Sequence, residues 1–352
     1  MLTIESILRH AIAAHASDVH VCVGQPPLMR VQASVTPSHL PAVTADDALR
    51  LLREMIDSNR FAEFEQKRDL DFSYAVPGLG RFRVNAHYQR RTVALSIRII
   101  SDTIRPLEQL FLPDVVTRLT TLPRGLVLVT GPTGSGKSTT LAAMIDAING
   151  RERGRIITLE DPVEYVIEPR QCSVEQREVG SDVPDFASGL RHVLRQDPDT
   201  ILVGEMRDLE TVRAALTAAE TGHLVFSTLH TQSAAQTIER IIDVYPAGEQ
   251  NHVRAMLAGT LQAVVSQTLF PRIDAPGMIP AVEVMLCTPG VRNCIRENRI
   301  HELASAIETN RAIGMQSMDF AIKQLFENGY ISKADALAQA THPDKLERML
   351  AA

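Results

Sequence analysis

Residues 131–138, GPTGSGKS, combine glycines, a lysine and a hydroxyl side chain in the spacing G-x-x-x-x-G-K-[ST]. An unbroken apolar run, residues 126–130, precedes this loop, and a helical stretch, residues 139–148, follows it. The glycines let the backbone curl until N–H groups point at phosphate oxygens, beside the partial positive charge of a helix N-terminus. A glycine-rich turn with a surface lysine is the alternative, and the order strand, loop, helix disfavours it. The loop is therefore predicted to bind phosphate.

The residues of this loop have expected roles in binding ATP. Lys137 should reach the β- and γ-phosphates, and the Ser138 hydroxyl should ligate Mg²⁺. ATP and Mg²⁺ are therefore the predicted cofactors. The residues predicted to bind the nucleotide are consecutive in the chain: Gly131, Pro132, Thr133, Gly134, Ser135, Gly136, Lys137, Ser138 and Thr139.

Two further stretches end predicted strands in carboxylates. The apolar residues 200–203 lead into Gly204 and Glu205, which places Glu205 at the carboxyl edge of the sheet, next to the loop. Glu205 is predicted to orient or deprotonate the attacking water, or to hold Mg²⁺ through water. Glu164, in the acidic stretch 160–164, is a candidate for the same metal and water site, where the cation would offset the carboxylates' repulsion. Which of the two is the base stays open, and each has the alternative of a solvated surface acid.

A histidine follows another predicted strand, residues 224–228. His230 would emerge on the same face as the nucleotide and could sense the γ-phosphate. A polar cap at a strand end is the alternative for this residue. His223 opens the same strand.

The elements that must position these residues fall into two regions. Residues 1–100 predict a small α+β domain, and a capping box at residues 44–47 opens one of its helices. Residues 101–122 are predicted to be a linker. In residues 123–352 strands and helices alternate, which is typical of an α/β domain with a parallel sheet. The last part is predicted to be helical, with helices over residues 251–269 and 318–327 and a capping box at residues 332–335.

The composition excludes several classes of protein. The chain has 352 residues, 45% of them apolar and 22% charged, which is typical of a globular protein. A formal net charge of −6, no Trp and five Tyr disfavour a dedicated nucleic-acid binder. The four cysteines form no C-x-x-C pair, which disfavours zinc ribbons and disulfide frameworks. With no signal sequence and no apolar run near the length of a membrane span, we expect a cytoplasmic protein.

Motifs spread over most of the chain resemble those of the PilT-type retraction ATPases of type IV pili, within the secretion-ATPase superfamily. ASDVHV at residues 16–21 resembles the N-terminal signature, and GEMRD at residues 204–208 resembles the atypical Walker B motif. Residues 221–231 are similar to the histidine box, and residues 160–164 to the acidic box. GVRNCIRE at residues 290–297 resembles the AIRNLIRE signature of the retraction branch, and departs from it at Gly290, Val291 and Cys294.

This resemblance implies a RecA-like P-loop domain, a smaller N-terminal PAS-like α+β domain and a ring of six subunits. It also implies that arginines on one subunit's N-terminal domain reach the nucleotide of another subunit. Arg83, Arg98 and Arg81 lie on the polar face of a predicted strand pair and suit that role. A solvated basic strand face is the alternative.

The last motif predicts a helix with two faces. Val291, Cys294 and Ile295 have the i, i+3, i+4 spacing of an inward face, which leaves Asn293, Arg296 and Glu297 outward. The resemblance implies that this segment transmits nucleotide-driven movement. An ordinary surface helix is the alternative.

The resemblance thus implies a hexameric ATPase motor that drives pilus retraction and twitching motility. Its implied partners are five further copies of the chain, an inner-membrane platform protein and a paralogous retraction ATPase, and nucleic acid is not among them. It would associate peripherally with the inner membrane at the pilus base. A PilU-like accessory ATPase stays open. An extension or type II secretion ATPase is disfavoured because the four-cysteine insert of those relatives is missing, and a nucleotide-binding scaffold is disfavoured because Lys137 and Glu205 are present.

Overall fold

The computed structural model describes residues 2–31, 34–100 and 103–351. Contacts within the chain divide it into two compact units. The first unit comprises Met1–Thr103 with Pro162–Tyr165, and the second comprises Ile104–Asp161 with Val166–Ala352. The division falls inside the segment 101–122 that was predicted to be a linker. Residues 101 and 102 of that segment lie outside the described residues.

The first unit has an antiparallel sheet with helices on one face. Its helices are α1 (Ile4–Ala13), α2 (Ala45–Met55) and α3 (Ser58–Lys67). Its strands are β1 (Asp18–Val21), β2 (Leu28–Val31), β3 (Ser34–Pro37), β4 (Asp69–Val76), β5 (Gly80–Gln89) and β6 (Thr92–Ile100), in the spatial order β3-β2-β1-β6-β5-β4. Phe82, Val84 and Ala86 of β5 are buried against the helices, whereas Arg83 between them is exposed. This is the α+β unit that the sequence predicted.

The second unit is built on a mostly parallel sheet. Its strands are β7 (Gly125–Thr130), β8 (Arg155–Glu160), β9 (Ser173–Glu178), β10 (Thr200–Val203), β11 (Leu224–Leu229), β12 (Leu261–Pro271) and β13 (Met278–Leu286). Their spatial order is β13-β12-β7-β11-β10-β8-β9, and among the described strands of this sheet only the pairing of β12 with β13 is antiparallel. The predicted α/β fold class is confirmed.

Helices cover both faces of this sheet. The helices of this unit are α4 (Asp114–Leu119), α5 (Lys137–Arg151), α6 (Phe186–Val193), α7 (Leu209–Glu220), α8 (Ala234–Asp243), α9 (Gln250–Thr260), α10 (Pro289–Arg296), α11 (Leu303–Thr309), α12 (Met318–Glu327), α13 (Lys333–Ala338) and α14 (Pro343–Ala351). Leu126 and Leu128 of β7 pack in one hydrophobic core with α7 and α9, whereas Val127 and Val129 pack in a second core with α4 and α5. Every residue of β7 is buried as a result.

Two stretches of sequence fold differently from expectation. The predicted helix over residues 251–269 is wrong in its second half, since α9 ends at Thr260 and β12 begins at Leu261. A strand buried on both faces carries no apolar–polar alternation, so its pattern resembles that of a buried helix. In the segment predicted as a linker, α4 buries Val115, Val116 and Leu119 in the core of the second unit.

No helix among the described residues has the length and apolar character needed to cross a lipid bilayer.

Candidate functional site

Residues 131–138, hereafter the phosphate loop, join β7 to α5 at the carboxyl edge of the sheet. Three glycines of the loop have positive φ angles: 140° at Gly131, 78° at Gly134 and 86° at Gly136. Residues with a Cβ atom rarely adopt such angles. At Gly131 a Cβ atom would also lie 2.2 Å from the backbone oxygen of Gln267. The loop therefore requires glycine at these positions, as the sequence motif indicated.

The side chain of Lys137 lies over the phosphate loop. It is 8% exposed, and its Nζ donates hydrogen bonds to the carbonyl oxygens of Gly131 at 2.9 Å and Pro132 at 3.0 Å. Ser138 and Thr139 are half-buried in the first turn of α5. The arrangement places one positive charge and a helix N-terminus around a curled backbone, which suits a chain of phosphates.

Glu205 lies in a turn that hydrogen bonds hold against two neighbouring strands. Gly204 donates its N–H to the carbonyl of Leu159 at 2.7 Å, and the hydroxyl of Thr228 donates to the carbonyl of Gly204 at 2.6 Å. The backbone N–H of Met206 donates to the carbonyl of Thr228 at 3.1 Å. These bonds fix the backbone on both sides of Glu205.

The carboxylate of Glu205 lies between two basic side chains. Its Oε1 is 2.6 Å from Nε of Arg207, and its Oε2 is 3.4 Å from Nε2 of His230. The side chains of Arg207 and His230 are 70% and 43% exposed, whereas that of Glu205 is 19% exposed. We call these three residues the Glu205 cluster. Glu205 and His230, which were predicted separately at the nucleotide face, are thus in contact, and Arg207 is a contact that the sequence did not indicate.

Strand order explains why the cluster and the phosphate loop share one edge. β11 pairs with β7 on one side and with β10 on the other, so Leu229 lies opposite Thr130, and Ser227 opposite Val203. The chain leaves β11 at His230, between the loop after β7 and the turn after β10. His223 lies at the other end of β11, where its Nδ1 is 2.9 Å from the carbonyl oxygen of Ala218.

The acidic stretch 160–164 begins at the last residue of β8, and its two glutamates have different surroundings. Glu160 accepts hydrogen bonds from Thr158 at 2.6 Å and from Gln176 at 3.0 Å, so its carboxylate ties β8 to β9. Glu164 belongs to the segment Pro162–Tyr165, which groups with the first unit. Its role at the metal and water site stays a prediction.

In the first unit, two of the predicted arginines lie side by side. Arg83 of β5 is in register with Arg98 of β6, and both side chains are exposed. Nε of Arg98 donates to Asp18 at 2.9 Å. Burial raises the pKa of Asp18, but hydrogen bonds from Arg98 and Ser17 outweigh it and leave the pKa below its usual value. The carboxylate thereby offsets repulsion between the two guanidinium groups, and their action on another subunit's nucleotide stays a prediction.

The sequence did not indicate a role at the site for Gln267, a buried residue of β12. Its amide nitrogen donates to the carbonyl of Ser135 at 2.6 Å, and its amide oxygen accepts from the hydroxyl of Thr140 at 3.0 Å. The neighbouring Ser266 accepts a hydrogen bond of 2.8 Å from Thr130. The sequence does show two adjacent polar residues inside an apolar run. Because residues 251–269 were predicted as a helix, these residues could not be placed beside the loop.

Helix α10 has the two faces that the sequence predicted. Val291, Cys294 and Ile295 are buried, and Asn293, Arg296 and Glu297 are exposed. Arg292 instead faces the end of α9. Its guanidinium donates to Gly259 and Gln262 at 3.1 Å each, and also to Ala258. This arginine therefore fastens α10 to the junction of α9 and β12.

The described residues contain no group of three or more His, Cys, Asp or Glu side chains arranged to hold a metal ion. A Mg²⁺ ion that is bound chiefly by phosphate oxygens and water needs only one or two protein ligands. The half-buried Ser138 hydroxyl beside the phosphate loop suits that kind of site.

Comparisons with known proteins match nearly the whole chain to one family. The family described as "Type II/IV secretion system protein" matches residues 1–317. The chain is 47% identical over 343 residues to "Type IV pilus retractation ATPase PilT" of Pseudomonas aeruginosa, covering 97% of this chain and 99% of that protein. It is 39% identical over 346 residues to "Type IV pilus ATPase PilU" of the same species, covering 98% and 91%. The "Crystal Structure of the Pilus Retraction Motor PilT and Bound ADP" matches with a TM-score of 0.93 at 43% identity, covering 99% of this chain and 100% of that one.

Proposed function

The chain belongs to the type II/IV secretion system protein family, and on that premise we propose that it is an ATPase that powers retraction of type IV pili. The observation that carries the proposal is the phosphate loop and the Glu205 cluster at one sheet edge, in a chain similar to PilT over nearly its full length. Family membership supports nucleotide hydrolysis, and the similarity to PilT supports the pilus as the object on which it acts.

The residues of the second unit divide the reaction between binding and hydrolysis. The loop's backbone N–H groups and Lys137 bind the phosphates. Bound Mg²⁺, held by Ser138 and phosphate oxygens, would offset the negative charge that develops during phosphoryl transfer. Glu205 would orient the attacking water and accept its proton, and His230 would sense the γ-phosphate. Because Arg207 is 70% exposed, exchange of its ion pair for water costs little and leaves the carboxylate available.

Assembly would complete the site. A ring of six subunits would bring Arg83 and Arg98 of one subunit to the nucleotide of another, where guanidinium groups stabilise transition-state charge. Glu164 would act in the same metal and water site as Glu205. The ring would work at the inner membrane by pushing on a platform protein, since nucleotide-driven changes at subunit interfaces rotate domains against each other.

A clean deletion of the gene, scored for surface pili and for twitching, tests the proposal. Retraction predicts excess surface pili together with lost motility. Cells without pili would instead indicate an extension or secretion ATPase and would contradict the proposal.

The 39% identity to PilU favours a second candidate, an accessory retraction ATPase. The distinguishing strain expresses this chain as its one retraction ATPase, with any paralogue deleted. Twitching in that strain supports a motor that works alone, and a requirement for the paralogue supports the accessory role.

Helix α10 allows force transmission to be separated from hydrolysis. Changing the exposed Asn293 and Arg296 to Ala should leave folding and ATPase activity intact and abolish twitching, with pili retained on the surface. Arg292→Ala is the contrasting variant, because it removes the hydrogen bonds to two carbonyls at the end of α9 and to Gln262 and should lower stability by about 1–3 kcal/mol. Normal twitching in the Asn293/Arg296 double variant would contradict a transmitting role for this helix face.

A further inference from the structure

Gln267 contacts the phosphate loop and its helix at three points. Its backbone oxygen leaves no room for a side chain at Gly131. Its Nε2 donates to the carbonyl oxygen of Ser135 at 2.6 Å, and its Oε1 accepts from the hydroxyl of Thr140 at 3.0 Å. One residue of β12 therefore touches the start of the loop, its end and the first turn of α5.

Strand pairing fixes where this side chain begins. β12 runs parallel to β7, with Ser266 in register with Thr130, so Gln267 is level with the point where the chain leaves the sheet. The side chain is 2% exposed, and its amide uses both a donor and an acceptor. A buried amide with both ends bonded has one preferred orientation. The contact is therefore built into the sheet.

Packing alone does not account for a glutamine at this position. Val264, Val265 and Phe270 of the same strand are fully buried apolar residues. An amide costs free energy to bury unless its hydrogen bonds are made, so an apolar side chain would serve stability at least as well. The amide is instead directed at the loop's carbonyl oxygen.

The direction of the bond to Ser135 has a consequence for the loop. In a trans peptide the C=O and the next N–H point to opposite sides. When Gln267 holds the carbonyl of Ser135, the N–H of Gly136 is directed away from β12. Gly136 has no side chain to restrict its backbone and adopts a φ of 86°, so a contact from outside the loop can select one orientation of this peptide.

We propose that Gln267 is a positioning residue for the nucleotide: it holds the Ser135–Gly136 peptide so that the Gly136 N–H faces the phosphates, and Thr140 holds the amide of Gln267 in turn. The proposal rests on the proposed ATPase function. It adds a residue outside the loop motif that sets the affinity of the loop for phosphate.

The test compares the full-length wild-type chain with four variants: Gln267→Met, Thr140→Val, the double variant and Asn149→Leu. Met retains the length of the side chain and removes both hydrogen bonds. Asn149 is the matched control, because it is a fully buried amide on the same helix that donates to Glu168 at 2.8 Å and accepts from Arg170 at 3.0 Å. Asn149 lies twelve residues beyond Lys137, about 18 Å along the helix.

The measurements are the affinities for ADP and AMP, the KM and kcat for ATP, and the thermal midpoint. Gln267→Met should weaken ADP binding and raise KM by about tenfold, because a loop dipole loses its orientation, and change kcat less. AMP binding should change little, since AMP lacks the β- and γ-phosphates. Thr140→Val should weaken ADP binding severalfold, and the double variant should be no weaker than Gln267→Met, since both act through one contact. Asn149→Leu should lower the thermal midpoint without changing ADP affinity.

Several results would overturn the proposal. If Gln267→Met lowers the thermal midpoint while folded protein binds ADP as the wild type does, the residue serves packing alone. If ADP and AMP weaken equally, or the two substitutions are additive, the loop peptide is not what Gln267 controls. Should Gln267→Met fail to fold, Thr140→Val decides, because normal ADP affinity there removes the proposed link. Failure of the wild-type chain to bind ADP would overturn both the proposed function and this inference.

Discussion

The phosphate loop and the Glu205 cluster lie at the same sheet edge but are held in different ways. Lys137 is 8% exposed and bonded to two carbonyls of its own loop, and a buried glutamine on the next strand fixes the loop's far end. The carboxylate of Glu205, by contrast, is held by two exposed side chains, Arg207 at 2.6 Å and His230 at 3.4 Å. Buried hydrogen bonds are costly to break, whereas exposed ion pairs exchange readily with water. We infer that the binding element is preorganised and that the hydrolytic element is adjustable.

Loss of the lysine should have the largest effect, because it removes charge from the preorganised element. Lys137→Ala should weaken ADP and ATP binding by more than about a hundredfold, since no other side chain of the loop carries a positive charge. Turnover should fall below detection as a consequence. Equilibrium binding of a fluorescent ADP and phosphate release measure both effects, and tight binding by this variant would show that the backbone N–H groups suffice.

A substitution in the adjustable element, at Glu205, should impair hydrolysis and leave nucleotide binding intact. Glu205→Gln keeps the shape of the side chain but cannot accept a proton from water, so kcat should fall by about 10²–10⁴-fold with nucleotide affinity retained. Phosphate release at saturating ATP is the measurement. Release near the wild-type rate would transfer the base role to Glu164, and Glu164→Gln is then the decisive variant.

The paired arginines of the first unit test whether the site includes residues from a second subunit. Arg83→Ala and Arg98→Ala should lower turnover by about tenfold or more while ADP binding to isolated subunits stays normal. Mixing such a variant with Lys137→Ala should partly restore hydrolysis, because some interfaces then pair an intact loop with intact arginines.

The same mixtures also identify the opposite result. If subunit exchange is demonstrated and no mixture exceeds its parents, the arginines act within their own subunit or not at all.

The smallest effect is expected at Arg207. Its ion pair with Glu205 is exposed, so Arg207→Ala should change kcat by no more than about threefold and stability by less than about 1 kcal/mol. Arg191→Ala is a control, because Arg191 forms an exposed pair with Glu210 at 3.8 Å in the same unit. A loss of activity as large as that of Glu205→Gln would mean that the cluster is as rigid as the loop.

Local signals predicted much of the fold because they depend on neighbours in sequence. Thr44 caps α2 as expected, with its hydroxyl accepting from the N–H of Asp47, and Ser332 caps α13 by accepting from Asp335. Helix α12 spans Met318–Glu327, the same residues as the predicted helix. Caps and amphipathic faces are set within a few residues, so a single sequence contains them.

The wrong prediction concerns a segment in which burial on both sides removed the alternation of apolar and polar residues. Residues 263–267 of β12 are buried on both faces of the sheet, so the pattern there does not distinguish a strand from a helix. With that strand missed, Gln267 could not be placed beside the loop. Arg292 was predicted only as part of a signature, because its bonds to Gly259 and Gln262 join segments that are about thirty residues away in the chain.

The sequence by itself determined the phosphate loop, since G-x-x-x-x-G-K-[ST] between a strand and a helix permits few other backbones. It also determined that Glu205 and His230 each follow the end of a strand. Only the tertiary structure decided that Arg207 and His230 hold the same carboxylate, that Asp18 joins Arg98, and that Gln267 orients the loop. The physical reason is that these contacts depend on which strands lie side by side, and strand order is set by packing of the whole sheet rather than by any local stretch of residues.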